Sequence, residues 1–298
     1  MKSNHLHSNL LLLLTAIIWG FAFVAQRAGM EHIGPFTFNG IRFMLGGLSL
    51  LPLLLLPSNR NHTSIIETGG WNQRVMVAGL ISGLVLFVAA TLQQVGMVYT
   101  TAGKAGFITG LYVIFVPVLG MFIGQQTRIN VWLGAFVAAA GLYFLSITND
   151  FTLETGDAFI LASALFFAVH ILVIGRFSKN VSIIRLSVLQ FFTCSVLSLL
   201  VAFATEEIEL SGIIAASVPI LYGGIFSVGI AYTLQVAGQK HAHPASASII
   251  LSLESLFAVI GGWLILNEQM SARGLAGCAL MLCGMVLAQI SIKRRGRE

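Results

Sequence analysis

The chain has 298 residues, 57% of them apolar and 9% charged, with a formal charge of +5 and a mean hydropathy of +0.91. Soluble domains carry roughly 25% charged residues, so this composition excludes a water-soluble globular protein and predicts an integral membrane protein. The basic residues sit at segment ends and in the tail, not in one patch, which argues against a nucleic-acid partner.

A bilayer-spanning helix needs about 20 mostly apolar residues, and ten segments qualify. The N-terminal stretch MKSNHLHSNLLLLLTAIIWG has the basic start and apolar run of a signal peptide. No small-x-small cleavage site closes that run, and it continues to Ala25, so the expectation is an uncleaved first span over 9–28 that contains Trp19. The second span, 34–56, carries Asn39 and Arg42, and the longest loop follows near Pro57–Gln73. Span three, 74–98, contains Gln93; span four, 102–123, opens at Lys104 and contains Tyr112 and Pro117. A mid-helix proline removes a backbone donor and predicts a kink there. The fifth span is 129–147. His170 lies in the sixth (157–175), Gln190 in the seventh (184–204) and Gln235 in the eighth (211–237). The ninth, 244–265, carries Glu254, and the tenth is 272–292. All ten are predicted to be helices, because backbone groups in hydrocarbon must be satisfied internally and strand-like alternation is absent. Cys194, Cys278 and Cys283 lie within apolar segments without metal-type spacing, so neither a disulfide framework nor a metal site is expected.

The distribution of Lys and Arg sets the orientation. With the N-terminus inside, the cytoplasmic set is Lys2, Arg60, Arg74, Arg128, Arg176, Lys179, Arg185, Lys240, Lys293, Arg294, Arg295 and Arg297, against Arg27, Lys104 and Arg273 outside. The positive-inside rule therefore places both termini in the cytoplasm.

The sequence also repeats itself. Displaced by 142 positions, Leu92, Gln93, Gly96, Ala105, Ile108, Leu111, Phe115, Gly120 and Ile123 fall on identical residues, so that Gln93 meets Gln235 and Tyr112 meets Glu254. One inserted residue brings Gly134 and Gly141 onto Gly277 and Gly284. Five spans per copy is an odd number, so the second copy must enter the membrane from the opposite side. The expected fold is an all-α membrane protein of ten helices in two inverted five-helix repeats. Alternating-access carriers are built on such repeats, with sites at mid-membrane on the repeat interface.

The two five-span halves, the TAIIWGFAF start, Arg42 in the second span and the Q-x-x-G and GGWLILNE stretches together resemble the EamA family of the drug/metabolite transporter superfamily. The resemblance covers two units, 10–148 and 157–291. It implies a carrier of the cytoplasmic (inner) membrane, often an exporter of amino acids or other small metabolites. It further implies a cavity lined by the first, third and fourth spans of each half. Two departures stand out: Gln126 replaces the acid that the second half has at Glu268, and the first-span glutamate of the small multidrug relatives is missing. Their proton-exchange chemistry transfers to this chain only through Glu254.

The candidate site residues each have a structural alternative. A carboxyl at Glu254, about 15 Å into a helix that rises 1.5 Å per residue, is a partner for a proton or a substrate amine, or else a hydrogen-bonded structural group. Arg42 is either an anchor for a substrate carboxylate or a brace between helices; the resemblance, which sets the second span off the cavity, favours the brace. Lys104 attracts anions to an outer vestibule or simply snorkels. His170 is a proton relay or a satisfied core residue. Gln93 and Gln235 bind a polar substrate or join helices, and Trp19 and Tyr112 form a substrate wall or pack. The pairs Gly79/Gly83, Gly106/Gly110 and Gly120/Gly124 are expected at close helix contacts.

The expected function is secondary transport of small metabolites such as amino acids or their derivatives, with protons as a candidate coupling ion and no cofactor. A sugar-nucleotide or drug transporter is the alternative, followed by a channel, which needs a continuous polar lining. A membrane enzyme ranks last, since the spans contain no metal-ligand cluster, nucleophile–base pair or acidic dyad.

Overall fold

The computed structural model describes residues 2–55, 71–146, 155–266 and 272–290. Arg60 and the basic tail Lys293–Arg297, used above for orientation, and Glu268 lie outside them. Among the described residues the chain is helical, with no strand.

Eight helices are long and apolar enough to cross a membrane. They are α1 (Lys2–Gly29), α2 (Pro35–Leu55), α3 (Gln73–Val98), α4 (Ala102–Phe122), α6 (Thr155–Phe177), α7 (Ile183–Thr205), α8 (Ser217–Gln239) and α9 (Pro244–Ile265). The two remaining predicted spans are helices too, α5 (Ile129–Ser146) and α10 (Ala272–Gln289), but their apolar runs are shorter than a full span. They pack against each other through glycine. A Cβ on Gly134 would sit 2.6 Å from the Gly284 carbonyl, and one on Gly141 2.7 Å from that of Gly277, so the two backbones touch along this seam.

α2 packs on α7, and α3 on α6 and α7, while α1 lies against α8 and the second half of α9. Of the expected small-residue contacts, Gly79 and Gly83 hold, abutting Leu189 and Thr193 of α7. Gly106 meets Ala258 more loosely, with Cβ atoms 3.3 Å apart if one were added. Gly120 and Gly124 do not form a helix contact. Gly124 has φ +75°, and the bonds from Gln125 N–H to Gly120 C=O (2.9 Å) and from Gly124 N–H to Met121 C=O (3.0 Å) end α4 in a Schellman turn. There a left-handed residue satisfies the last carbonyls, which glycine does at least cost.

Two irregularities shape the interior. α4 and α9 are each broken in the middle, at Leu111 and at Ser252–Leu253. α8, expected as a plain span over 211–237, follows a separate turn at Leu210–Ala215 and contains a π-helical stretch, Tyr222–Tyr232. Wide turns of this kind are rare and recur at functional sites.

Candidate functional site

The breaks in α4 and α9 are the same device made twice. In α4, Leu111 N–H bonds back three residues to Ile108 C=O at 3.2 Å; in α9, Leu253 N–H bonds to Ile250 C=O at 3.2 Å. Ile108 and Leu111 are the residues that the 142-position displacement lays on Ile250 and Leu253. The turn tightens locally and a new helix starts, at Tyr112 in one copy and at Glu254 in the other. Pro117 lies six residues past Leu111, inside the new half-helix, and α9 breaks identically with Val259 at the matching position. The expected proline kink is thus not the origin of the break. The two broken helices are joined where they meet, the Ser255 hydroxyl donating to the Gly106 carbonyl at 2.6 Å.

Between them, with α1, α2, α3, α6 and α8, lies a central cavity. Six of the eight candidate residues face it: Trp19, Arg42, Gln93, Tyr112, Gln235 and Glu254. Arg42, whose helix was expected off the cavity, is on its wall, held by the rings of Phe38 and Phe43 at 5.4 and 5.1 Å from its Cζ. Lys104 is elsewhere, pairing with Asp157 of α6 at 2.6 Å. Thr100 donates to the other oxygen of Asp157 at 3.1 Å, so this cluster ties α4 and the α3–α4 turn to α6. His170 is fully buried behind the wall, bonded to Gln190 at 3.0 Å and edge-on to Tyr232.

The cavity is polar, buried and incompletely satisfied. Arg42, Glu254 and Gln235 are 2%, 3% and 1% exposed, yet Arg42 Nε, Glu254 Oε1 and Gln235 Oε1 have no hydrogen-bond partner among the described residues. The same is true of Gln26 Oε1, whereas the Tyr112 hydroxyl interacts with the Glu254 carboxyl. An orphaned buried polar group costs about 1–3 kcal/mol, more when charged, so four on one cavity point to a site that something else completes. Arg42 and Glu254 form no ion pair, although both face this space. By contrast Gln93 is engaged, its Nε2 donating to Thr109 Oγ1 at 3.1 Å.

Facing the charges is an aromatic wall of Trp19, Phe23, Phe167 and Tyr232. Tyr232 is its hub, 4.6 Å from Trp19 and 6.0 Å from Phe43 between ring centres. α1 is stitched to the π stretch by three hydrogen bonds. Trp19 Nε1 donates to Ser227 C=O at 3.2 Å, Thr15 Oγ1 to Ala231 C=O at 3.2 Å, and the Tyr222 hydroxyl to Ile18 C=O at 3.0 Å. The space is tight, with about 30 Å³ open to a water-sized sphere. A single water needs roughly 10–15 Å³ by such a measure, so a metabolite enters only if the helices part.

Sequence reasoning missed Gln26, Thr109, Ser227 and Tyr232 as lining residues. Gln26 was within reach: Trp19, Phe23 and Gln26 are spaced i, i+4, i+7, one face of α1. Ser227 and Tyr232 were not, because the π stretch rotates the residues of α8 out of the register that a regular helix predicts.

The fold and cavity together define a multi-pass membrane protein with a closed polar site between broken helices. The chain belongs to the EamA-like transporter family, whose model matches it twice, at residues 7–147 and 154–289. An uncharacterized transporter of Archaeoglobus fulgidus is 30% identical over 97% of this chain and 88% of its own. The uncharacterized transporter YoaV of Bacillus subtilis is 24% identical, covering 94% of this chain and 95% of its own. The uncharacterized inner membrane transporter YedA of Escherichia coli K12 is 23% identical over 92% of this chain and 88% of its own. A solved crystal structure matches the fold with a TM-score of 0.74 at 18% identity, over 94% of this chain and 96% of that one. The protein is therefore a membrane transporter.

Proposed function

We propose that the protein is a secondary transporter that exports small zwitterionic metabolites, amino acids or their derivatives, across the cytoplasmic membrane by alternating access. The observation that carries this reading is the unpaired Arg42 and Glu254 on one closed cavity. A guanidinium binds a carboxylate bidentately, and a carboxylate accepts an ammonium, so the two ends of an amino acid match the two ends of the site. The apolar part of the substrate rests on the wall formed by Trp19, Phe23, Phe167 and Tyr232. In this reading the chain forms two inverted five-helix units, 10–148 and 157–291, with ten crossings and both termini cytoplasmic. α5 and α10 then cross as a peripheral pair. The paired breaks in α4 and α9 let the half-helices tilt, opening the cavity to one face or the other. Glu254 is the proton site when no substrate ammonium is present, which couples export to proton entry.

A sugar-nucleotide or drug transporter is the alternative, and a channel would need a polar path that stays open. The test is uptake of labelled amino acids into proteoliposomes of the purified protein, with and without a pH gradient. Saturable, gradient-driven flux is expected. Flux that rises without saturation, or a site indifferent to every zwitterion tried, would overturn the reading.

A further inference from the structure

Away from the central cavity, a second opening lies where the start of α3 meets the end of α6. It offers about 480 Å³ to a water-sized sphere, far more than the central site. Arg74, Arg176 and Asn180 give it a polar edge, and Val77, Phe177 and Val181 an apolar side. Beside it, Arg185 at the start of α7 lies over the Trp71 ring, its Cζ 5.8 Å from the ring centre. Trp71 is half-exposed just ahead of α3, as aromatic residues are at a membrane–water boundary.

The basic groups here have no acidic partners. Among the described residues no carboxylate pairs with Arg74, Arg176 or Arg185. Arg185 Nε and Nη1 are buried without any acceptor among the described residues. The positive potential extends beyond the opening: at the loop before α9, desolvation and then the charges of Lys179 and Arg128 hold the His243 imidazole below its ordinary pKa. A surplus of Lys and Arg at one membrane face is an orientation signal and needs no ligand. That signal accounts for the charges, but not for an opening between two helices or for the orphaned guanidinium nitrogens of Arg185 beside it.

The apolar side of the opening narrows the ligand class. Val77 is exposed, and Leu80, Ile81 and Leu84 continue the exposed apolar face of α3 along the helix. Hydrocarbon covers such a face in a membrane. A ligand that fills both parts has an anionic head and an acyl chain.

We propose that this opening holds an anionic phospholipid, its phosphate bound by Arg74, Arg176 and Arg185 and one acyl chain lying along Val77, Leu80 and Leu84. Guanidinium groups bind phosphate through paired N–H donors, and basic pockets between helices at the membrane boundary suit lipid headgroups. None of these residues faces the transport cavity, so the proposal is independent of the substrate reading above.

The test uses the full-length protein in detergent. Lipid retained on the folded protein is counted by native mass spectrometry, and the unfolding temperature is measured with phosphatidylglycerol, with phosphatidylcholine and with inorganic phosphate. Phosphatidylglycerol is expected to remain bound and raise the unfolding temperature, whereas phosphatidylcholine does neither. Arg74→Gln combined with Arg185→Gln is expected to weaken retention about tenfold, the equivalent of losing one charge-assisted contact. If that pair fails to fold, Arg176→Gln, on an exposed side chain, replaces it and is expected to reduce retention as well. Equal retention by wild type and variant would sink the proposal. So would full stabilisation by inorganic phosphate alone, which would make the opening a site for a free anion.

Discussion

The two copies of the repeated stretch share a backbone and divide the chemistry. α4 and α9 break at matching residues with matching hydrogen bonds, yet the half-helix after the break starts with Tyr112 in one and Glu254 in the other. The preceding helices differ too. α3 is regular throughout, whereas α8 runs as a π helix over Tyr222–Tyr232, residues that match 80–90 of α3. Gly223, Gly224 and Gly229 of α8 stand where α3 has Ile81, Ser82 and Phe87, and Gly224 and Gly229 let the wide stretch press against Leu45 and Ser49 of α2. One copy thus presents a regular helical wall and the cation, Arg42; the other presents a π-helical wall and the acid. Duplication supplied the geometry, and divergence put opposite charges on one cavity.

That division can be erased from either side. Arg42→Gln is expected to have the largest effect, weakening zwitterion binding about 100-fold through loss of a bidentate charged contact worth about 2–3 kcal/mol. Competition binding against a carboxylate-free amine of the same size checks it, because the amine's affinity should hardly move. Glu254→Gln makes both copies uncharged at the break. Substrate affinity should fall about tenfold, and the protein should still fold and insert. The acceleration of flux by a pH gradient should disappear. If the gradient dependence survives, the acid of the second copy is not the proton site.

Much of this division was visible in the sequence, and the reasons are physical. Intramembrane polar residues are costly, so Arg42, Gln93, Gln235 and Glu254 stand out against an apolar background, and all four line the cavity. The 142-position displacement exposed the equivalence of Tyr112 and Glu254 because glycines and apolar residues fix the packing around them. Three features were not legible. The π stretch has no periodic signature that separates it from an α-helix. The break at Leu111 follows Gly110, but its copy at Leu253 follows Ser252, so no shared turn residue marks the two breaks in the sequence. The role of Lys104 depended on Asp157, 53 positions away in the chain and on another helix.

That ion pair gives a smaller test. Asp157 is buried and reaches α4 and the α3–α4 turn from the second copy, and the pair's 142-position counterparts, Thr15 and Ser246, have no charge. Asp157→Asn keeps the Thr100 contact and removes the charge, and because Lys104 is partly solvated the loss of stability should be about 1 kcal/mol. Its clearer signature is conformational. A cysteine placed at Thr101 should be labelled faster in Asp157→Asn than in the parent. Unchanged labelling would make the pair a static brace.

The smallest expected effect is the most discriminating for the backbone. Pro117 is the natural suspect for a break in α4, since a proline inside a helix usually costs about 3 kcal/mol and kinks it. In this chain, however, the discontinuity precedes Pro117 by nearly two turns and recurs in α9 beside Val259. Pro117→Ala should therefore leave the break, substrate affinity and the unfolding temperature close to the parent's, and is compared directly with Ser255→Ala, which removes the bond to the Gly106 carbonyl. Of the two, Ser255→Ala should change transport more. The reverse order would show that α4 is broken by its own proline and α9 by something else, and the two breaks would no longer be one device made twice.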